Sequence, residues 1–335
     1  MSPPGRPKGE YRSAQHEGFS VSPPGRPKGE YRSAQHEGSP VHPPGRPKGE
    51  YRGAQHEGAP VSGARRAGRR WLMGWVPLLM LALLSGCATV VPVPGSPSST
   101  SSAPETAAGA QAAWARVLDR FVNAQGEVDF LALSQDRADL DRMLRHVANT
   151  PPDSLAAGAQ RLAHLINAYN ALSMFNVIDS GIPATHAGLN KVVFFISRRF
   201  NVGGQTLSLY GFENDVIRPL GRQTGDPRLH FALNCSAVSC PVLPRTPFTT
   251  DGLDDELARE ARAFFARPAN WRIDVAERTV WLNEILSFYT EDFVPVPARS
   301  LIEYANRYAP QPAPLDFQVR FTPYDWTVAN SRRPR

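Results

Sequence analysis

The sequence predicts one α+β domain of mixed helices and β-hairpins, carried behind a disordered N-terminal extension, a signal peptide and a flexible tether. Three observations predict it. Several segments repeat apolar residues at three- and four-residue spacing, the pattern of helices with one buried face. Two others place β-branched and aromatic residues on either side of a short turn, the pattern of β-hairpins. These segments interleave without a regular βαβ repeat, which favours a mixed architecture over a layered parallel sheet. The globular part is expected over residues 111–330, long enough for one domain with a proper core.

The elements follow in order. Trp114, Val117, Leu118 and Phe121 mark a first helix, and Leu140, Met143, Leu144 and Val147 a second. Asp153 or Ser154 is placed to cap a third, running to about Asp179. Leu162, Leu165, Ile166, Tyr169, Leu172, Phe175 and Ile178 leave that helix little polar face, so it is expected at the centre of the fold, ended by Gly181 and Pro183. Lys191 to Val202, Gly203-Gly204 and Gln205 to Leu209 read as a hairpin. A helix over Leu209 to Leu220 and a strand over Arg228 to Asn234 come next. Three prolines and two cysteines make Asn234 to Pro247 a loop. Leu253, Leu257, Ala261 and Phe264 mark another helix, and Trp271 to Val275 with Thr279 to Leu282 a second hairpin. Two short helices, around Glu284 to Phe288 and Leu301 to Tyr308, precede a last strand near Phe317 to Phe321.

The region ahead of the domain has a different character. Ser2-Pro3-Pro4-Gly5-Arg6-Pro7-Lys8-Gly9-Glu10-Tyr11-Arg12 recurs from Ser22 and, slightly changed, from Pro43, a period of 20 residues. Solenoid repeats need an apolar face to stack, and each copy offers little beyond Tyr11, Tyr31 or Tyr51. Residues 1–60 are therefore expected to be disordered. Their near-identity suggests recent duplication, and translation is expected to start near Val61 or Met73. Residues 61–86 carry Arg65, Arg66, Arg69 and Arg70, then an uncharged run of 13 residues from Leu72 to Leu84, then small residues. That order is the layout of an export signal, and the run is short of the roughly 20 residues that span a bilayer. A buried core helix would need a polar face that this run lacks; an uncleaved anchor is the other reading. Residues 87–110, rich in proline, serine, threonine and alanine, read as a tether.

The whole chain has a formal charge of +6, which invites a nucleic-acid reading. Residues 1–86 hold 13 Lys and Arg against 6 Asp and Glu, leaving 24 against 25 in the remainder, a formal charge of −1. The basic character belongs to the precursor, so no nucleic-acid partner is expected.

Leu84-Ser85-Gly86-Cys87 resembles the lipobox of bacterial lipoproteins. The resemblance implies cleavage before Cys87, acylation of Cys87, and membrane lipid as the partner of a soluble domain. Ala88, where retained lipoproteins carry Asp, implies sorting to the outer membrane with the domain facing the periplasm.

Two stretches stand out within the domain: Leu165-Ile166-Asn167-Ala168-Tyr169-Asn170-Ala171-Leu172, and His230-Phe231-Ala232-Leu233-Asn234-Cys235-Ser236-Ala237-Val238-Ser239-Cys240-Pro241. With Pro323-Tyr324-Asp325-Trp326 they resemble the bacterial family catalogued as domain of unknown function 547, over roughly Arg161 to Trp326. The resemblance brings no agreed activity. Asn234-Cys235 is its firmest point and Cys240 a looser one.

Read physically, Asn167 and Asn170 are amides in an apolar helix and need partners, either loop backbone near Cys235 and Cys240 or a ligand. Cys235 has three candidate roles. It is spaced to form a disulfide with Cys240 in an irregular loop. As a thiolate nucleophile it would need a base, and the domain holds only His146, His164, His186 and His230. His230 reaches it only if the chain bends at Asn234; His164 on the buried helix is the other candidate, with Asn167 one turn along to orient it. As a metal ligand it would join His230 and Cys240, at most three groups, so no metal and no cofactor are expected. Glu213 and Asp215 are paired acids with nothing to place them about a sugar, and Trp271 and Trp281 read as core. Two functional readings follow. One is a thiol hydrolase or acyltransferase acting on envelope peptide or protein. The other is a binding or scaffold lipoprotein whose Cys235/Cys240 loop is structural.

Overall fold

The computed structural model describes residues 88–93 and 105–332. The expected repeats of 1–60, the signal peptide of 61–86 and Cys87 lie outside the described residues. The domain is α+β, with helices enclosing one contiguous apolar core and two separate three-stranded sheets at its margins. Among the described residues no helix is long and apolar enough to cross a membrane.

Helix α1 (Ala107–Phe121) is capped by Thr106, whose hydroxyl accepts from the Gly109 amide, and buries Trp114, Val117, Leu118 and Phe121. After a short α2 (Phe130–Gln135), which the apolar spacing had not marked, α3 (Ala138–Asn149) buries Leu140, Met143, Leu144 and Val147 and packs on α1. Helix α4 (Ala159–Asp179) is the centre of the fold, with residues buried all round. It starts later than expected: Pro152–Ser154 is a separate 3₁₀ turn, and Gly158 turns the chain at φ 86° into the helix. Gly181, at φ 81°, follows its end.

The first sheet holds β2 (Arg198–Val202) antiparallel to β3 (Gln205–Ser208) across Gly203-Gly204, as the hairpin signal predicts. Its third strand is β1 (Thr89–Val90), parallel to β2, with Val91 and Val93 buried in the core. Residues 88–93 of the expected 87–110 tether are thus part of the fold, and α1 takes its last residues from Ala107. Two buried valines and two paired residues hold this piece of an otherwise proline- and serine-rich stretch.

Two segments read as strands are helical. Leu189–Val192 is a short helix (α5) that widens into a π-turn over Val193–Ser197. The run from Val192 to Ile196 is apolar but does not alternate. Burial of Phe194 under the His186 ring, centroids 3.9 Å apart, decides its conformation over β-propensity. Pro227–Phe231 is a 3₁₀ helix, because Pro227 opens it and the Asp226 carboxylate accepts from the Arg228 amide. Between them, α6 (Leu209–Gly211), a π-turn (Phe212–Ile217) and α7 (Arg218–Thr224) form one helical run.

The loop over 234–247 leads to α8 (Leu253–Phe265). The second sheet pairs β4 (Trp271–Asp274) antiparallel with β5 (Thr279–Asn283), and β5 parallel with β6 (Gln318–Thr322). Helices α9 (Ile285–Phe288), α10 (Thr290–Phe293) and α11 (Leu301–Ala305) connect the last two strands. Trp271 is core, whereas Trp281 lies under the guanidinium groups of Arg272 and Arg320 on the sheet's outer face.

Candidate functional site

The buried helix α4 carries a polar stripe on an otherwise apolar body. Asn167, Asn170, Ser173 and Asn176 recur every third residue and are all buried. Each holds a different segment of chain. Asn167 accepts from the Trp114 indole and the Phe248 amide and donates to the Phe248 carbonyl at 2.7 Å. Asn170 donates to the Ala232 carbonyl and accepts from the Asn234 amide at 2.8 Å. The Ser173 and Ser236 hydroxyls lie 3.2 Å apart, and Asn176 donates to the Phe194 carbonyl and accepts from Arg198. The stripe pins both sides of the loop around Cys235 to the core, and the π-turn beside it.

That loop is held further from within. The Asn234 side chain donates to the Pro241 carbonyl and accepts from the Ser236 amide, and this short turn supports Ser236 at φ 63°. The C-terminal segment closes over it: the Val238 amide donates to the Thr327 carbonyl and the Ser239 amide to that of Asp325. Cys235 and Cys240 meet as a disulfide, their α-carbons 6.4 Å apart, and the Tyr324 hydroxyl donates to Cys240 Sγ at 3.1 Å.

The bonded cysteines lie at the wall of a cavity of about 280 Å³. Its walls are mostly apolar: Phe195 and Ile196 from one π-turn, Leu233, Ile285, Phe288, and the rings of Tyr289, Tyr324 and Trp326. The second π-turn contributes Glu213, whose buried carboxylate accepts from the Tyr169 hydroxyl at 2.9 Å. Both π-turns therefore face one cavity, a use that such local widenings often serve. Burial, and then the nearby Glu213 charge, push the Tyr169, Tyr289 and Tyr324 phenols well above the ordinary range, so all three stay protonated hydrogen-bond donors. Glu213 and Asp215 do not act as a pair, since Asp215 faces solvent.

His230 lines the same cavity. Its ring stacks on Tyr289 with centroids 4.2 Å apart, and Nε2 lies 2.8 Å from Asp292 Oδ2. Arg218 and Arg222 bind the same carboxylate. Burial works against ionisation of Asp292, but the bonds from His230, Arg218 and Arg222 outweigh it and hold the carboxyl well below its usual range.

The sequence candidates thus separate. His230, Cys235 and Cys240 share one cavity, while Asn170 and Asn234 hold the loop that forms its wall. His164 is not among the lining residues; it stands edge-on to His146, ring centroids 5.3 Å apart. Asn167 spends its amide on Trp114 and Phe248 and makes no bond to His164. The Cys235–His164–Asn167 grouping is not assembled. Among the described residues no cluster of His, Cys, Asp and Glu is placed to hold a metal ion.

Tyr169 and Tyr324 stood inside the quoted motifs without a role assigned, and Tyr289 and Asp292 had no local signature. Asp292 lies 62 residues beyond His230, a pairing that only the fold makes. A sign for the helix was present in the three-residue recurrence of Asn167, Asn170, Ser173 and Asn176.

Part of this wall falls within a stretch that is similar to a known family. Residues 152–265 match the family described as "Protein of unknown function, DUF547". No curated protein and no solved structure matches the chain. The DUF547 segment runs from the 3₁₀ turn ahead of α4 to the end of α8. It holds the polar stripe, Glu213, His230 and both loop cysteines. Asp292, Tyr289 and the Tyr324–Trp326 clamp are supplied by chain beyond it.

Proposed function

We propose that this chain is a lipid-anchored protein of the bacterial outer membrane, facing the periplasm, whose folded domain binds an apolar ligand beside the Cys235/Cys240 loop. The cavity carries this reading: about 280 Å³, walled by aromatic and aliphatic side chains, with few polar groups converging on it. The disulfide and the polar stripe then serve as supports that keep the pocket open. Titration of the purified protein with a neutral apolar fluorophore such as Nile red tests it. Saturable uptake that Val192→Trp at the mouth abolishes, with unchanged thermal unfolding, is the expected outcome. Uptake indifferent to that plug would refute the pocket as the binding site.

A second reading is favoured by one observation, that His230, braced by Asp292, lines the cavity with both cysteines. Once a dithiol donor has reduced the disulfide to two thiols, becoming a disulfide itself, Cys235 attacks an acyl carbonyl of envelope peptide or protein. His230 takes the thiol proton and passes it to the amine or alcohol that leaves as the C–N or C–O bond breaks. Water or a second amine then releases the acyl group from the thioester. A thiol reagent applied with and without reductant separates the two. Fast labelling of Cys235 in the reduced protein, slowed in His230→Ala, supports the enzyme; equal rates in both proteins leave the binding role alone.

The anchor has its own test. The membrane-extracted protein should begin at Cys87 and carry acyl chains, read by mass, and Cys87→Ser should leave the signal uncut. An unmodified Cys87 in the extracted protein removes the anchor from this reading.

A further inference from the structure

The mouth of the cavity is ringed by apolar side chains that face outward. Leu189, Val192, Val193 and Ile196 lie at helical spacing on one face of α5 and its π-turn, between 46% and 84% exposed. Val192 and Ile196 also line the cavity, as do the exposed rings of Tyr210 and Phe288 across from them. A contiguous apolar patch of this kind marks a surface with a partner.

Strand β1 indicates which partner. Thr89 pairs with Arg198 and Val90 with Arg199, and Arg198 directly follows the π-turn that carries Ile196. Cys87 precedes Thr89 by two residues in the sequence, so a lipid on Cys87 would join the chain just ahead of the strand that pairs with Arg198 and Arg199. That strand is paired with the segment directly after the exposed rim. Lys191 and Arg199, both exposed, add positive charge there, as anionic headgroups require.

We propose that the Leu189–Ile196 rim lies on the phospholipid bilayer, so that the cavity opens toward acyl chains. This rests on the reading of Cys87 as the anchor. The geometry agrees with how interfacial helices sit, with their apolar face roughly 5–10 Å into the boundary between headgroups and chains. Any ligand of the cavity is then one that arrives from, or leaves to, the membrane.

Photocrosslinking in cells tests it on the full chain. Benzoylphenylalanine is placed at Leu189 or Ile196, with Val275 as control, an exposed valine in the turn between β4 and β5. After illumination the adducts are read by mass. Phospholipid adducts severalfold more abundant from positions 189 and 196 than from 275 are the expected result. Adducts there to a second copy of this chain or to another protein, or lipid adducts no more abundant than at 275, would overturn it. The mass of Cys87 in the same preparation keeps the two readings apart. Acylated Cys87 with no lipid at the rim refutes the rim alone; unmodified Cys87 refutes the anchor, and the adducts still decide what the rim touches.

Discussion

Asn170 spends both ends of its amide on the chain beside Cys235, at a buried site. Asn170→Leu keeps the branched shape and the number of side-chain heavy atoms but leaves the Ala232 carbonyl and the Asn234 amide unpaired. Each orphaned group costs about 1–3 kcal/mol, so urea unfolding should show a loss in that range or above. Asn170→Asp keeps the acceptor for Asn234 and should lose less. The buried histidines set a second expectation. Burial lowers His186 to about 4, the Cys235 backbone pulling weakly the other way, and burial with neighbouring His146 lowers His164 to about 4. An unfolded chain takes up those protons near pH 6.5, before the native state does. Stability from keeping both rings neutral is therefore fully present above about pH 6.5 and lost as pH falls toward 4. Asp292 has the same sign at lower pH. Its contribution is present above the ordinary carboxyl range of about 3.9 and lost as pH falls through its depressed native value. Unfolding midpoints against pH should decline from near neutrality in the native chain, and His186→Phe should flatten the part of that decline between pH 6.5 and 4.

At the scale of elements, the ring closed by Cys235 and Cys240 is short, and chain entropy assigns it only about 2 kcal/mol. The double change of Cys235 and Cys240 to Ala should lower stability by about that amount and leave the helix content in circular dichroism intact. The polar stripe, the Asn234 turn and the C-terminal clamp hold the loop independently. β1 should matter comparably: Val91→Ala with Val93→Ala removes apolar burial worth roughly 1–2 kcal/mol at each site. That strand was invisible in the sequence because its six residues are too few to show a periodicity and run into a stretch rich in proline, serine and threonine; its conformation comes from Arg198 and Arg199, more than a hundred residues away. The helices were legible wherever one face repeats, as from Trp114 to Phe121, and the two hairpins wherever a turn separates β-formers. Val192–Ile196 and Arg228–Asn234 were misread, since a run of β-formers says nothing of a neighbouring His186 or an Asp226 cap. Within the site, the loop and its amides were legible because buried polarity is anomalous in an apolar helix. The Asp292 partner of His230 was not, because long-range pairing leaves no local pattern.

Rim and cavity share one side of the described domain, and under the proposed anchoring at Cys87 the length of chain ahead of β1 decides how strictly they are coupled to the membrane. If the short path from Cys87 to β1 alone pressed the rim to the bilayer, lengthening it would release the rim. If the rim has its own affinity, lengthening matters little, because effective concentration falls slowly with tether length. About ten Gly and Ser residues inserted between Cys87 and Ala88 add a flexible span of roughly 17 Å. Four outward apolar side chains with Lys191 and Arg199 beside them favour the second case. Phospholipid adducts from position 193 should therefore persist in the lengthened chain. In that same chain, Leu189→Asp with Ile196→Asp should remove them, since two carboxylates cannot share the boundary with acyl chains at acceptable cost. Loss of adducts on lengthening alone would show instead that the tether, and not the rim, sets the orientation of the cavity.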